Sequence, residues 1–412
     1  MNRNFFSLII IISMCSLNVK SQGVTNNGAK IYLASGVFLN GGSFTNKTSV
    51  TDGAIDLNGT IIIRGDWENN ASNNVFVNIE STPNGTVFMA SNVSQNIGGS
   101  NSTHFENLHL DYSNKVLQSN NCEVNGILTI NSALELNKNK LIIDNSVPNA
   151  ITYNSGCIIS ESLPSSGLGE IEWKIGSSIN TFEIPFGVGS NGNDLNLILK
   201  TTSPGTPATG SLTFATYPTN SSNNPLPSGV SSLDGFNSDE FADRFWQISS
   251  NIPGAYSTNP ICDVTFKYTN ADINATNNPK LDETLLQAVR YNSSINQWTD
   301  WGPSGLSNPG TKTVTVSAIP SEDLFQYWGL VSKSTIPNAF TPDGDNVNDI
   351  FAKGYDLTII NRWGQELYSG RDGWDGTYKN EKVSPGTYYY VIIKSDNNNN
   401  ETKLTGSILL IR

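Results

Sequence analysis

Short apolar or β-branched runs recur between Val24 and Ser160, starting near Val37, Ile61, Val87, Leu108, Leu128, Leu141 and Ile158, with Gly, Asn and Ser between them. Runs this short, bounded this regularly by turn formers, read as strands rather than helices. Their starts are widely spaced up to Leu128 and closer together from Leu128 through Leu141 to Ile158. The spacing is loosely that of one coil of a β-solenoid, whose rungs bury their apolar side only against neighbouring rungs. A string of hairpins in a β-sandwich gives the same alternation, and periodicity does not separate the two.

A chain of 412 residues exceeds the roughly 250 to 300 at which one hydrophobic core stops growing. The residues divide it into a β-solenoid-like (or β-sandwich) region at 22–160, a β-sandwich at 161–331, a linker at 332–336 and a small β-sandwich at 337–412. The fold class is all-β. In the middle region, alternating runs at 171–175, 244–248, 264–268, 288–291 and 314–316 predict an immunoglobulin-like sandwich with Trp246 and Phe266 between its sheets. Pro204, Pro207, Pro218, Pro225 and Pro227 mark loops, where a missing donor and a fixed φ cost nothing. Residues 282–288 are the one stretch that reads as a helical turn.

At the N-terminus, Arg3 precedes an apolar stretch from Phe5 to Leu17 and small or polar residues through Ser21. This is the pattern of a secretory signal peptide over 1–21, too short to span a bilayer, for which roughly 20 apolar residues are needed. Met14 stands before Cys15 where a lipoprotein leader has a small residue. The formal charge is 24 − 36 = −12, and without Arg3 and Lys20 it becomes 22 − 36 = −14. This weighs against nucleic acid as a partner. Charged residues are only 15% of the chain, against roughly a quarter in ordinary globular proteins. Asn, Ser, Thr and Gly supply the polar surface instead, which suits exposed β-structure outside the cell. Beyond the leader, Cys122, Cys157 and Cys262 remain. An odd number leaves at least one thiol unpaired, so no disulfide framework holds the fold.

The C-terminal stretch carries an ordered set of motifs. It opens Pro337-Asn338-Ala339-Phe340-Thr341-Pro342-Asp343-Gly344-Asp345 and continues Val347-Asn348-Asp349-Ile350-Phe351 and Leu357-Thr358-Ile359-Ile360-Asn361-Arg362-Trp363-Gly364. Trp374-Asp375-Gly376-Thr377, Pro385-Gly386-Thr387-Tyr388-Tyr389-Tyr390 and Leu409-Leu410-Ile411-Arg412 complete it. In this order the motifs resemble the gliding-motility-associated C-terminal domain, the type B sorting domain of the type IX secretion system. Asp343 departs from the usual Asn, and the stretch between Phe351 and Leu357 is shortened. The resemblance implies passage into the periplasm, then across the outer membrane by the type IX machinery, to a secreted or cell-surface location. It implies as partners the type IX translocon and its outer-membrane accessory proteins. The sorting-signal residues it points to are Asn361, Arg362, Trp363, Gly364, Trp374, Asp375, Gly376 and Gly386, with Tyr388, Tyr389 and Tyr390 supporting the fold. From the residues themselves, the apolar runs 388–393 and 404–411 pair as a terminal hairpin across the loop 397–400. Segments 104–110, 124–130 and 134–137 in turn resemble repeats of bacterial surface β-helix proteins.

Catalytic material is sparse. Asp343, Asp345 and Asp349 on a Gly-containing turn could direct oxygens at a calcium ion, although Val347 and Gly354 at the fifth and twelfth positions exclude an EF-hand. Short acidic side chains also cap turn amides. The run Gly187-Val188-Gly189-Ser190-Asn191-Gly192 matches a dinucleotide fingerprint, but 195–200 continues as a strand where a helix is required, so a hairpin loop is the better reading. His104 and His109, placed on one strand five residues apart, would point to opposite faces and could not share a metal. No G-x-S-x-G, H-E-x-x-H or C-x-x-C motif occurs, which removes the commonest hydrolase, metalloprotease and redox chemistries. Asp66 and Glu68 flanking Trp67, Asp111-Tyr112, and Trp298-Thr299-Asp300-Trp301 could meet a sugar, but solvated acids and partly buried turn aromatics are the better readings of them. The expectation is a non-enzymatic passenger, adhesive or structural, meeting extracellular carbohydrate or another surface ligand, with calcium the only candidate cofactor. The alternative is a secreted polysaccharide-degrading enzyme on a β-helix scaffold.

Overall fold

Three parallel ladders stand around a common interior in a computed structural model of the chain. The structure describes residues 22–412 apart from 73, 78–84, 190–193, 234–235, 251–255, 275, 301–306, 333–337, 345–347, 354 and 396–400. The expected leader at 1–21, Asp345 and most of the expected linker at 332–336 therefore lie outside the described residues. The first ladder stacks Val24–Asn27, Phe44–Lys47, Trp67–Asn70, Gln95–Gly99, Lys115–Leu117, Leu134–Glu135 and Ile158–Ile159. The third stacks Phe38–Gly41, Thr60–Ile63, Thr86–Ser91, Asn107–Tyr112, Leu128–Ile130 and Ile151–Tyr153. Between them, Lys30–Leu33 pairs with Ala54–Leu57 early in the chain, and Thr103–Phe105, Cys122–Val124, Lys140–Ile143 and Glu170–Trp173 stack later. The region is a β-solenoid of about six turns, and the sandwich alternative for it falls away.

The uneven spacing of apolar runs now has a cause. On the third ladder Leu39, Ile61, Val87, Leu108, Leu128 and Ile151 lie in register, so each step from one to the next is one full coil. Leu141 belongs to the second ladder and Ile158 to the first. The closer spacing after Leu128 is a walk from face to face within a coil, not a shortening of the coil.

Inside, Ile61, Val87, Leu108 and Leu128 are fully buried, each contributing about 1.5–3 kcal/mol of transfer free energy. Phe44 stacks on Trp67 at 4.4 Å, and Phe105 closes on the same indole at 5.2 Å. One corner of the solenoid is polar within. Asn26, Asn46 and Asn69 lie in register and buried. Asn46 Nδ2 donates to Gly53 O at 2.8 Å and toward Asn69 Oδ1 at 3.4 Å, and Asn69 Nδ2 donates to Ser102 O at 2.8 Å. The ladder satisfies turn carbonyls that no strand partner reaches.

Glu170–Trp173 ends the solenoid and starts the sandwich. It pairs parallel with Lys140–Ile143 on one edge and antiparallel with Leu212–Pro218 on the other. A single nine-stranded sheet thus runs from Thr103–Phe105 to Gln297–Asp300, continuing past 160–161 without a break in hydrogen bonding. The opposing sheet contains Thr181–Ile184, Leu197–Ser203, Ile261–Lys267, Thr313–Ile319 and Ser307–Asn308. Between the sheets Trp246 meets Phe266 at 5.4 Å, and Phe266 meets Trp328 at 5.5 Å. Thr181–Ile184 pairs antiparallel with Leu197–Ser203, as a hairpin reading of the glycine-rich run requires. The helical stretch shrinks to one 3-10 turn, Glu283–Leu285, whose Thr284 N is capped by Asp282. The next residue, Leu286, already opens the strand Leu286–Asn292.

The C-terminal region has its own sheet, in the order Ala339–Phe340, Glu401–Leu410, Gly386–Ser395, Asp356–Ile360, Glu366–Gly370. Its separate core gathers Phe340, Phe351, Leu357, Ile359, Trp374, Ile392, Ile408 and Leu410. Gly386–Ser395 pairs with Glu401–Leu410 along its whole length, the terminal hairpin the apolar runs predict.

Candidate functional site

The hairpin joining Asp356–Ile360 to Glu366–Gly370 places two of the motif residues outward and uses two others to hold the turn. Asn361 Oδ1 accepts from Trp363 N and from Gln365 N, both at 3.0 Å, while Asn361 O accepts from Gly364 N at 3.0 Å. Gly364 has φ 79°, a left-handed conformation that glycine adopts without a Cβ penalty. The turn presents Trp363 with 81% of its surface exposed. The Arg362 guanidinium sits 5.4 Å from the centre of that ring, within cation–π range.

Trp374 does the opposite. It is fully buried, with Phe340 at 5.3 Å and Tyr388 edge-on at 4.9 Å, and its Nε1 donates to Thr377 O at 2.8 Å. Asp375 Oδ1 accepts from Thr377 N at 2.9 Å and from Thr377 Oγ1 at 2.7 Å. Gly376 has φ 77°, and a Cβ there would stand 2.8 Å from Leu410 and 2.9 Å from Arg412. Arg412 Nη2 donates to Gly376 O at 2.7 Å. Gly386 opens its strand, where alternation turns Tyr388 and Tyr390 toward the core and leaves Tyr389 49% exposed. Tyr390 packs on Phe351 at 5.4 Å.

Asn361, Arg362, Trp363, Lys382, Gly386 and Tyr388 line one groove of about 350 Å³. Burial raises the Tyr388 hydroxyl, opposed by the positive charges of Arg412 and Arg362. The groove is therefore cationic and aromatic, on a chain whose net charge is −12. Of the sorting-signal residues, Asn361, Arg362, Trp363, Gly386 and Tyr388 converge on it. Trp374, Asp375 and Gly376 do not line it, although Trp374 packs behind Tyr388 and Gly376 O accepts from Val383 N.

Residues 334–410 match the CHU_C Type IX secretion signal domain family. This signal domain marks the chain for type IX export and for a secreted or cell-surface location. No curated protein matches the chain.

The other sequence candidates are dispersed. In the turn before the signal domain's first long strand, Asp349 Oδ1 accepts from Gly344 N at 2.7 Å, which ties the turn; Asp345 lies outside the described residues, and Asp343 is exposed. His104 and His109 stand on separate strands of different ladders, not on one strand. His104 pairs with Glu123 at 3.7 Å, while His109 stacks on Phe88 at 4.5 Å and lies 3.9 Å from Asp111. Burial lowers His109, against the pull of Asp111. Asp66 Oδ1 accepts from Asn96 N at 2.7 Å. Trp67 between Asp66 and Glu68 is fully buried in the solenoid and unavailable to a sugar. Trp298 is likewise buried, its Nε1 donating to Ser232 O at 3.0 Å, and Trp301 lies outside the described residues.

Tyr112 differs from these. It is 64% exposed at a solenoid corner with φ 67°, an outlying conformation for a bulky residue. Beneath it, the fully buried Lys115 donates from Nζ to the carbonyls of Asp111 and Ser113, bracing the turn from both sides. Sequence reasoning named Tyr112 but not Lys115, because a lysine in a strand ordinarily faces water.

Proposed function

We propose that residues 22–331 form a non-catalytic passenger, adhesive or structural, which the type IX machinery carries from the periplasm across the outer membrane by docking on the Trp363 groove. The observation that carries the docking reading is the contrast within one domain: Trp374 is consumed by the core, while Trp363 is held in water by a turn built around Asn361. A large exposed aromatic beside an arginine is the type of anchor that dominates protein interfaces. On the translocon side, the complementary surface is acidic with an apolar pocket for the indole.

The passenger reading is supported by the outward side of the third ladder. Ile62, Phe88, His109 and Thr129 stand in register along it, and the rigid Tyr112 corner adjoins them. Such a flat repeated face suits an extended surface ligand, a polysaccharide above all, since rings stack on sugar faces. Fusing 334–412 to a reporter in a type IX-competent host tests the export role; a reporter that stays in the periplasm defeats it. Incubating purified passenger with a panel of polysaccharides tests the other. Binding without product supports an adhesin, and release of reducing ends identifies an enzyme.

A further inference from the structure

In the central sandwich, the carboxylate of Asp243 is buried without a counter-ion among the described residues. Arg244, its neighbour in sequence, is committed elsewhere, to Glu161 at 2.6 Å and Asp272 at 2.8 Å. Lys280 on the next loop pairs with Asp239 at 2.9 Å. What faces Asp243 is amide: Asn223 Nδ2 lies 3.5 Å from Oδ1, and Asn278 Nδ2 at 3.2 Å and Asn277 Nδ2 at 3.4 Å lie near Oδ2. All three distances exceed the roughly 2.7–2.9 Å of a charge-assisted hydrogen bond. Taking a carboxylate out of water costs several kcal/mol unless it is paired or coordinates a metal.

Two further atoms are out of place. Asn223 and Asn278 are 0% and 1% exposed, and the side-chain oxygen of each is buried without a hydrogen-bond partner. The oxygen and nitrogen of an asparagine amide exchange places by a half-turn of the terminal torsion. After that turn the two orphaned oxygens stand where the nitrogens stand now, 3.5 and 3.2 Å from the carboxylate. Calcium binds oxygens at about 2.3–2.6 Å, which puts neighbouring ligand oxygens roughly 3 Å apart. Asn223 Nδ2 donates to Ala242 O at 3.0 Å, and the same turn exchanges that hydrogen bond for a second oxygen facing the carbonyl. Two oxygens at that distance repel unless a cation lies between them. The loops are already tied together, with Thr219 N donating to Asp243 O at 2.9 Å and Asp243 N to Asp272 O at 2.7 Å.

We infer that Asp243, Asn223, Asn278 and the carbonyl of Ala242 form a calcium site joining the three loops that carry Asn223, Asp243 and Asn278. One fact accommodates all the oddities: the uncompensated carboxylate, the long contacts and the two orphaned oxygens. With a single charged ligand, affinity falls in the weak range of roughly 10⁻⁴–10⁻³ M used by extracellular modules, which accords with an exported protein. The site is separate from the Asp343–Asp349 turn and does not depend on the docking reading.

The test is thermal melting of the full chain in chelator, in about 10 mM calcium and in about 10 mM magnesium. Calcium should raise the Tm by about 3–5 °C, with magnesium well below that because it demands a tighter octahedron. The calcium increment should vanish in Asp243→Asn and in Asn278→Ala; either variant suffices if the other does not fold. Absence of a calcium increment in the wild type overturns the site. So does an increment that survives both variants, and one lost only in Asp343→Asn would move the cation to the C-terminal turn.

Discussion

The Arg362 guanidinium lies 5.4 Å from the centre of the Trp363 ring on a hairpin tip that leaves the indole 81% exposed. Further along the same domain, Trp374 is fully buried. Two tryptophans of one signal domain thus stand in opposite environments, one in water and one in the core.

Trp363→Ala should therefore leave folding stability within about 0.5 kcal/mol while cutting surface delivery several-fold. Trp374→Ala should cost about 3–5 kcal/mol and lose delivery by unfolding the domain. Melting curves and the surface fraction in a competent host, measured together, check both; a folded Trp363→Ala protein delivered normally would remove the groove from recognition.

Asn46→Ala leaves Gly53 O buried with its 2.8 Å donor gone. The expected loss is about 1–3 kcal/mol, read as a lower denaturant midpoint. Because each solenoid coil touches only its neighbours, hydrogen exchange should quicken in the first three coils before the sandwich is affected.

Arg244 is buried between Glu161 and Asp272, linking the last solenoid coil to a sandwich loop. Burial raises Glu161 even against the attraction of Arg244, so removing the guanidinium strands two carboxylates. Arg244→Ala should cost about 3–5 kcal/mol, measured by chemical denaturation. A loss under about 1 kcal/mol would mean water reaches the site.

Burial holds the Lys115 ammonium down to about 8, against the opposing charge of Asp111. The unfolded chain keeps the ordinary value near about 10.4. Between those values the unfolded state binds more protons, so this group's contribution to stability rises with pH and its cost is fully present below pH 8. The raised thiols of Cys122 and Cys262 act with the opposite sign. The measurable quantity is therefore the wild-type minus Lys115→Met difference in stability at pH 8 and pH 9.5, which should grow in favour of the wild type. A flat difference would place the ammonium in contact with water.

The strands of the solenoid were legible because inward side chains such as Ile61, Val87 and Leu108 had to be apolar. The position of its corners was not, since Leu141 and Ile158 look like Leu128 in sequence yet stand on other faces. Trp67 shows the same limit, a ring beside two acids that alternation turns inward. Lys115, Asp243 and the asparagine ladder left no legible signal, because a polar residue in a strand or loop ordinarily faces water.

What the sequence determined by itself was local: alternation that commits the chain to strands, turn formers that bound them, and the C-terminal motif order that matches a type IX signal domain. Tertiary structure decided which strands became neighbours, how many faces the solenoid has, and that Glu170–Trp173 would carry its sheet into the sandwich. It also decided which buried polar groups face one another. The physical reason is range. Alternation is set by adjacent residues, whereas a parallel rung such as Leu108 pairs with a partner a whole coil away at Leu128. The groups around Asp243 come from loops as far apart in the chain as Asn223 and Asn278.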